Sequence, residues 1–272
     1  MADSIKPFDD GKGNGFTHPD KALEDLLGYK PGKEVRRETI VLASRDFSIE
    51  EKSDRYRLKN VDYNGERCVI DWGKGLLDKG RRHRQTKWLE MTKDSAWKLP
   101  SEALYYAVFA ALYRNRKHPD AKQKKLVEKV RQMFRNDFEE YSMITSTVVF
   151  YPEYGNDLVV HDKGYSSNRV TAADIVGPQG FISAKEDFVW AVETLLETKD
   201  ISEAKKVHKW MFGKRTFLYR REEKPKNIVR AGLLLSSTDK HNFGISVQGT
   251  DIELIWPAHG AAVYNIMNKD QD

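Results

Sequence analysis

The spacing of apolar residues along the chain predicts both helices and strands. Apolar side chains recur at helical spacing over 104–112 and again over 126–138, which is typical of helices packed on a core. The connection between these two segments is short, so we expect them to form an antiparallel αα-hairpin. The same spacing over 84–91, 183–197 and 200–213 predicts three further helices.

Strands are predicted where β-branched and aromatic residues alternate with polar ones. In the first half of the chain these runs cover 39–43, 56–59 and 67–72. Asn64-Gly65 lies between the last two runs and is a strong signal for a β-hairpin, because both residue types tolerate a positive φ. The second half contains further runs of this kind, at 144–150, 157–161, 169–176, 216–219, 228–235, 243–247 and 252–256.

These elements predict an α+β fold with a mixed or mainly antiparallel sheet and about five helices. Residues 1–17 contain several glycines and are expected to form a flexible tail. We expect an N-terminal α+β unit over 18–141, with the β-hairpin and the αα-hairpin. A strand-rich unit with two helices would follow over 142–272, and a short helix is expected over 261–267. A single domain that includes both units is the alternative.

Composition places the protein among globular proteins of the cell interior. The chain has 272 residues, of which 39% are apolar and 32% are charged, and this supplies enough apolar surface for a core. The single cysteine, Cys68, excludes an internal disulfide and favours a reducing compartment, with the thiol buried in a strand. The chain begins with polar residues, and its longest apolar stretch is too short to cross a bilayer. We therefore expect a cytoplasmic protein without membrane contact.

The formal charge is unevenly distributed along the chain. The net charge is +5, but residues 79–131 contain 15 basic and 5 acidic residues, a net of +10. Residues 205–230 contain 10 basic and 2 acidic residues, a net of +8, and the block 132–204 between them carries 5 basic and 13 acidic residues, a net of −8. Either the two basic blocks meet in the fold and bind a polyanion, or they lie beside the acidic block and neutralise it.

The polyanion interpretation predicts individual binding residues. A guanidinium suits phosphate because it forms two parallel hydrogen bonds, and unpaired bases stack on aromatic rings. The predicted phosphate-binding residues come from both basic blocks and are Arg81, Arg82, Arg84, Lys124, Lys125, Lys206, Lys209, Arg220 and Arg221. The aromatic residues near them that could stack on bases are Trp88, Trp97, Trp210, Phe217 and Tyr219.

The sequence lacks the usual motifs for nucleotides, metals and activated nucleophiles. The glycines of 11–15 and 73–75 do not form a complete phosphate-binding loop, and the spacing of the histidines fits no zinc motif. We therefore expect no cofactor. A weaker alternative is a magnesium or manganese site of the kind found in nucleases, formed by Asp157, His161, Asp162 and Asp174.

The sequence is compatible with three functions, which we expect in the following order. The first is a basic intracellular binding protein with nucleic acid as its partner. The second is a protein-interaction or structural subunit, whose charge blocks pair with another protein or with a second copy. The third is a metal-dependent hydrolase that acts on a phosphodiester. The first depends on whether the two basic blocks share one face of the folded chain.

Overall fold

Two sheets and five α-helices make up the part of the chain that the structure describes. This computed structural model describes residues 39–42, 46–162, 169–236, 242–250 and 255–268, so the predicted tail at 1–17 lies outside it. The helices are α1 (Gln85–Thr92), α2 (Glu102–Arg114), α3 (Ala121–Glu140), α4 (Glu186–Leu196) and α5 (Ile201–Phe212). The strands are β1 (Thr39–Leu42), β2 (Ser48–Glu51), β3 (Arg55–Tyr63), β4 (Glu66–Gly73), β5 (Met143–Tyr151), β6 (Asp157–His161), β7 (Arg169–Ala173), β8 (Gly180–Phe181), β9 (Arg215–Tyr219), β10 (Ile228–Leu235), β11 (Asn242–Thr250) and β12 (Ala261–Asn268).

The first sheet has the strand order β1-β12-β4-β3-β2. Its strands β3 and β4 form the predicted hairpin, and the turn residues Asn64 and Gly65 have φ values of 56° and 74°. Both values fall in the left-handed region that a two-residue turn between twisted strands requires. Cys68 is buried in β4, as predicted.

A side chain of α3 forms hydrogen bonds with the edge strand β2 of this sheet. Gln123 Oε1 accepts a hydrogen bond from Ile49 N of β2 at 2.7 Å, and Gln123 Nε2 donates to Ile49 O at 3.2 Å. The side-chain amide thus satisfies both backbone groups of one residue on the edge strand. This pair of hydrogen bonds fixes the first turn of α3 on the sheet.

Strand β12 corrects one prediction and joins the two predicted units. Residues 261–268 form this strand instead of the short helix expected there. β12 forms hydrogen bonds with β1 on one side and β4 on the other, and such pairing overrides local helical preference. Because β1 to β4 precede the predicted boundary at 141/142 and β12 follows it, this sheet contains strands from both units.

The second sheet has the strand order β7-β6-β5-β10-β11-β9-β8. Its neighbouring strands are antiparallel, apart from β9 and β11, which run parallel. In the first sheet β1 and β12 are likewise parallel, and the other neighbours are antiparallel. The predicted α+β fold with mainly antiparallel sheets is therefore confirmed.

Helix α2 lies at the centre of the core. Every residue from Glu102 to Leu112 is buried, as expected for a helix that is apolar around most of its circumference. It packs on β3 of the first sheet, on β5 and β10 of the second sheet, and on helices α4 and α5. It touches α3 through aromatic rings, such as Phe109 and Phe134 with centroids 5.0 Å apart. Since α2 packs mainly on the sheets and α5, the predicted αα-hairpin is not confirmed.

A buried polar network surrounds the N-terminal end of α2. Ser101 caps the helix, because its hydroxyl accepts a hydrogen bond from Leu104 N at 3.2 Å. The same hydroxyl lies 3.1 Å from the hydroxyl of Tyr63, which donates to Asp162 at 2.7 Å. Arg169 Nη2 lies 3.1 Å from Asp162 Oδ2, and the Asp162 side chain is only 1% exposed. The network thus connects the hairpin of the first sheet with β6 and β7 of the second.

Glu102, the first residue of α2, is buried beside this network. Its backbone N donates to Thr147 Oγ1 at 3.0 Å, but among the described residues its carboxyl oxygens have no hydrogen-bond partner. Gly232 provides the space for this carboxyl, since a Cβ at Gly232 would lie 2.5 Å from Glu102 Oε1. Burial raises the pKa of Glu102 well above its usual value, which favours the neutral acid.

Candidate nucleic-acid interface

The first basic block begins in an exposed loop before α1. Arg81, Arg82 and Arg84 are all exposed there. Arg82 lies within electrostatic reach of Tyr141, which follows the C-terminal end of α3. Lys124 is in the first turn of the same helix, about 25 Å away along an axis that rises 1.5 Å per residue. These arginines and Lys124 therefore lie towards opposite ends of α3.

Two predicted arginines follow β9, at the end of the strand that is remote from α5. Arg220 is 1% exposed; its Nε donates to Pro178 O at 2.8 Å and its Nη1 to Asp187 O at 2.6 Å. A guanidinium enclosed in this way is not available to a phosphate at the surface, which corrects the prediction for Arg220. Arg221 is partly exposed, and its Nε donates to Gln248 O at 2.8 Å.

The predicted lysines lie on helices α3 and α5, which are in contact with each other. Lys124, Lys206 and Lys209 are all exposed. Lys206 precedes Trp210 by one helical turn, and Lys124 precedes Arg131 by two turns, so each lysine shares a side of its helix with a residue at the contact. Lys209 lies on the adjacent exposed side of α5.

A ladder of two guanidinium groups and two aromatic rings connects α2, α3 and α5. The guanidinium of Arg116 lies 3.8 Å from the ring centroid of Tyr113, and the rings of Tyr113 and Trp210 have centroids 5.8 Å apart. The guanidinium of Arg131 lies 4.7 Å from the Trp210 ring, and Arg131 Nε donates to Trp210 O at 3.0 Å. The attraction between a cation and a π face holds both arginines in fixed positions.

The ladder brings part of each basic block to one surface, which we name the α3–α5 face. Tyr113, Arg116, Lys124 and Arg131 come from the first half of the chain, whereas the α5 residues belong to the second basic block. The α3–α5 face consists of Tyr113, Arg116, Lys124, Arg131, Lys206, Lys209 and Trp210.

Positive charge on the α3–α5 face exceeds the negative charge that pairs with it. Arg131 forms an ion pair with Glu128 at 2.9 Å, but Lys124, Lys206 and Lys209 form no ion pair with the described part of the chain. On the other side of α3, Lys129 differs from these three lysines. Lys129 bonds to Glu51, and this contact, together with that of Lys74, lowers the pKa of Glu51 to about 2.

Lys125 lies outside the α3–α5 face. It is exposed and precedes Lys129 by one helical turn, so it projects on the side of α3 that is nearer to β2. Of the nine predicted polyanion-binding residues, three therefore lie at exposed positions on the sides of the two helices that form the α3–α5 face. These three are Lys124, Lys206 and Lys209.

The predicted metal ligands are divided between the two ends of β6. Asp157 begins the strand; it accepts a hydrogen bond from Ile175 N at 3.0 Å and pairs with Lys224 at 3.0 Å. Asp174, just after β7, is exposed. His161 ends β6, about 13 Å from Asp157 at 3.3 Å per residue.

His161 and Asp162 have partners of their own at their end of β6. The ring nitrogens of His161 lie 3.2 Å from Thr147 Oγ1 and 2.8 Å from Thr194 O, and burial lowers the pKa of His161. Asp162 belongs to the network of Arg169. Residues 39–42, 46–162, 169–236, 242–250 and 255–268 contain no group of three or more His, Cys, Asp or Glu residues that could hold a metal ion. The predicted metal site is therefore not supported, because β6 separates its members.

Sequence reasoning named the lysines of the α3–α5 face but missed most of the ladder. Tyr113 and Arg116 stand three residues apart, a spacing at which helical side chains can meet; this is the one local signal of the ladder. The contact of Arg131 with Trp210 joins positions 79 residues apart and leaves no local pattern. Trp88, also expected to stack on bases, is buried and donates its indole N–H to Trp256 O at 2.8 Å.

Comparisons of the chain with protein-family models, with curated proteins and with solved structures find no match. Within the described part of the chain, every helix is too short or too polar to cross a membrane.

Proposed function

We propose that the protein binds a polyanion, with nucleic acid as the partner, through the α3–α5 face. The observation that carries this proposal is the contact between Arg131 and Trp210, which joins residues from the two basic blocks. Two basic blocks that were separated in the folded chain would have no contact of this kind. Here the neighbouring Lys124 and Lys206 are exposed, and neither is engaged with a carboxylate of the described residues.

Phosphate binding by this face would gain from the release of counterions. Each phosphate that a Lys or Arg neutralises steepens the fall of affinity with salt, by about 0.7 to 0.9 in the log–log slope. Arg116 and Arg131 are both held against aromatic rings, but Arg131 already bonds to Glu128 and to Trp210 O. Arg116 is therefore the arginine that loses little side-chain freedom when a phosphate binds. The lysines contribute mobile point charges around these arginines.

A salt titration with charge-reversed variants tests the proposal. Binding of a fluorescent oligonucleotide is followed by anisotropy while the salt concentration is raised. We expect Lys124→Glu combined with Lys206→Glu to lower the affinity at least about tenfold and to reduce the salt slope by about 2, because two phosphate contacts become repulsive. Both side chains are exposed, so the fold should be retained.

The matched control is Arg81→Glu combined with Arg82→Glu. This variant changes the net charge by the same amount, at exposed positions near the other end of α3. We expect it to leave the affinity within about twofold of the wild type, since short-range contacts outweigh distant charges at physiological salt. Equal losses in both variants would assign binding to overall charge, and weak binding that does not respond to salt would contradict the proposal altogether.

A protein-interaction role is the second candidate, and one observation favours it. Trp190 on α4 is 58% exposed, and exposed tryptophans are enriched at protein interfaces. Light scattering at low and high salt would detect association of the chain with itself. A mass that is doubled at both salt concentrations, in the absence of oligonucleotide binding, would favour this role over the first, because an apolar contact is not screened by salt.

A further inference from the structure

A shallow depression opens where the C-terminal parts of α3 and α5 meet the second sheet. Phe138 of α3, Phe212 of α5 and Phe243 of β11 form its floor. The rings of Phe212 and Phe243 are stacked, with centroids 4.1 Å apart, and Phe138 meets them edge-on at 5.3 Å and 5.5 Å. All three side chains belong to the hydrophobic core. The floor is therefore apolar, and its rings are fixed by their own packing.

Hydrogen-bond donors surround this apolar floor. Arg135 of α3, Lys214 between α5 and β9, and Ser236 after β10 line the depression. Arg135 Nε and Ser236 Oγ are buried, and neither has a hydrogen-bond partner among the described residues. Proteins satisfy nearly all buried polar atoms, and arginine and lysine side chains can only donate. These groups are therefore suited to an acceptor that comes from outside the chain.

The net charge around the depression is positive. Lys214 forms no ion pair with the described part of the chain. Glu139 also lines the depression, but its Oε1 lies 3.9 Å from Arg135 Nη2, which is beyond hydrogen-bond distance. The Glu139 side chain is 64% exposed, so water weakens its attraction for the arginine. Both basic side chains can therefore attract a ligand with a negative charge.

The size of the depression limits the ligand to a small molecule. Its volume is about 280 Å³, including the space at its mouth. Pockets for drug-sized ligands have volumes of about 300–1,000 Å³, so this depression lies just below that range. A ligand that fits it has one apolar group for the floor and one acidic group for the rim.

We infer that the depression binds a small monocarboxylic acid with an apolar ring or a branched apolar chain. The apolar part packs on the three phenylalanine rings, and the carboxylate accepts hydrogen bonds from Arg135 and Lys214. A carboxylate only accepts, and its two oxygens match the fork of a guanidinium. An inorganic anion has the charge but would leave the apolar floor uncovered. The site does not include the lysines of the α3–α5 face, so this inference does not rest on polyanion binding.

Three small probes separate the contributions of charge and apolar contact. They are phenylacetate, phenylacetamide, which has nearly the same shape without the charge, and acetate, which has the charge without the ring. Binding is followed by the backbone amide signals of the isotope-labelled protein in nuclear magnetic resonance. We expect phenylacetate to bind at least about tenfold more tightly than either of the others, because only phenylacetate makes both charge-assisted hydrogen bonds and apolar contact. The amide signals of Lys214, Ser236 and Phe243 should shift.

Lys214→Gln tests the role of charge at the rim. Lys214 is partly exposed, so the fold should be retained. We expect this variant to bind phenylacetate at least about fivefold more weakly and to bind phenylacetamide as the wild type does, since the amide has no charge to pair with a lysine.

The matched control is Lys226→Gln. Lys226 is 73% exposed and precedes β10, whereas Ser236 follows this strand of eight residues, about 26 Å away at 3.3 Å per residue. The control variant should bind phenylacetate within about twofold of the wild type, because the distance exceeds the screening length.

Several outcomes would overturn the inference. Equal affinity for phenylacetate and phenylacetamide would exclude recognition of the carboxylate, and equal affinity for phenylacetate and acetate would exclude use of the floor. Absence of phenylacetate binding at a concentration on the order of 10 mM would also overturn it. Shifts confined to the amides of Lys124, Lys206 and Lys209 would assign the carboxylate to the α3–α5 face, and equal losses in Lys214→Gln and Lys226→Gln would assign binding to overall charge.

Discussion

The two ends of helix α2 meet charged side chains in opposite ways. At the N-terminal end, Asp162 is buried and has Arg169 and Tyr63 as direct partners. At the C-terminal end, Arg116 stacks on Tyr113 at the surface, and the nearby lysines of the α3–α5 face have no carboxylate partner among the described residues. The N-terminal end is a closed network. At the C-terminal end Arg114 pairs with Glu203 at 2.6 Å, but the charge of the lysines faces the solvent.

This difference indicates what each set of charges does. A buried carboxylate requires a partner because the interior solvates it poorly, so the network at the N-terminal end is part of the fold. Excess like charge at the surface contributes nothing to folding and weakens the compact state slightly through repulsion. We therefore expect changes at the N-terminal end to alter stability, and changes at the C-terminal end to alter binding.

The largest effect is expected for Arg169→Met. The substitution leaves the buried Asp162 and the neighbouring Glu197 without the guanidinium that bonds to both. Breaking a buried ion pair from one side destabilises a protein by about 3–5 kcal/mol, and we expect a loss of this size in the free energy of unfolding measured with urea. The variant's affinity for an oligonucleotide, measured under conditions where it is folded, should be unchanged.

The control for Arg169→Met is the double variant Arg169→Met with Asp162→Asn. Removing the second charge should restore a large part of the lost stability, since the penalty comes from the remaining buried carboxylate. A loss below about 1 kcal/mol in the single variant would show that the pair behaves as a surface ion pair, and the contrast between the two ends would fail.

Glu102→Gln should produce an effect that depends on pH. Burial raises the pKa of Glu102 above its unfolded value of 4.5, so the folded chain holds a proton that the unfolded chain releases. The resulting stability is complete below about pH 4.5 and is lost as the pH rises towards the raised pKa. Between about pH 5 and pH 8, the wild type should lose up to about 1.4 kcal/mol per pH unit relative to the variant.

Urea unfolding at several pH values measures this difference. The control is Glu139→Gln, which removes a carboxylate that is 64% exposed on α3. If the free energies of unfolding of the wild type and of Glu102→Gln differ by the same amount at every pH, Glu102 is not a neutral acid in the folded chain.

The smallest effect on stability is expected for Arg116→Gln at the C-terminal end of α2. An exposed cation–π contact contributes about 0.5–1 kcal/mol, and the free energy of unfolding should fall by no more than this. The salt slope of oligonucleotide binding should nevertheless decrease by about 1, since one phosphate contact is lost. A large decrease in the free energy of unfolding, with an unchanged salt slope of oligonucleotide binding, would show that Arg116 stabilises the fold and does not contact the ligand.

The elements that the sequence predicted well are those with a local physical cause. The turn at Asn64-Gly65 follows from the φ values that these residues tolerate, and α2 follows from its apolar spacing. Strand β12 was wrongly expected to be helical, because its conformation is determined by β1 and β4, which are remote in sequence. The αα-hairpin was predicted from the short connection between α2 and α3. The length of a connection does not show that α2 packs mainly on the sheets and on α5.

The candidate site could be predicted only in part, for the same reason. Charge counts identified Lys124 and Lys206, but a count cannot separate an exposed arginine from Arg220, which is buried against the carbonyls of Pro178 and Asp187. The contact between Arg131 and Trp210 requires the packing of α3 on α5. The strand pattern around Phe217 and Tyr219 was visible in the sequence, whereas the side of the sheet that they occupy was not.

The hydrogen bonds of Gln123 have a consequence for the lysine that follows it. Because the amide of Gln123 is fastened to the backbone of Ile49, the start of α3 is preorganised before any ligand arrives. The entropy lost in ordering this turn belongs to folding and does not reduce the affinity of a later encounter. Gln123→Ala removes these hydrogen bonds. We expect it to leave the association rate constant of a ligand at Lys124 unchanged and to shorten the residence time of that ligand.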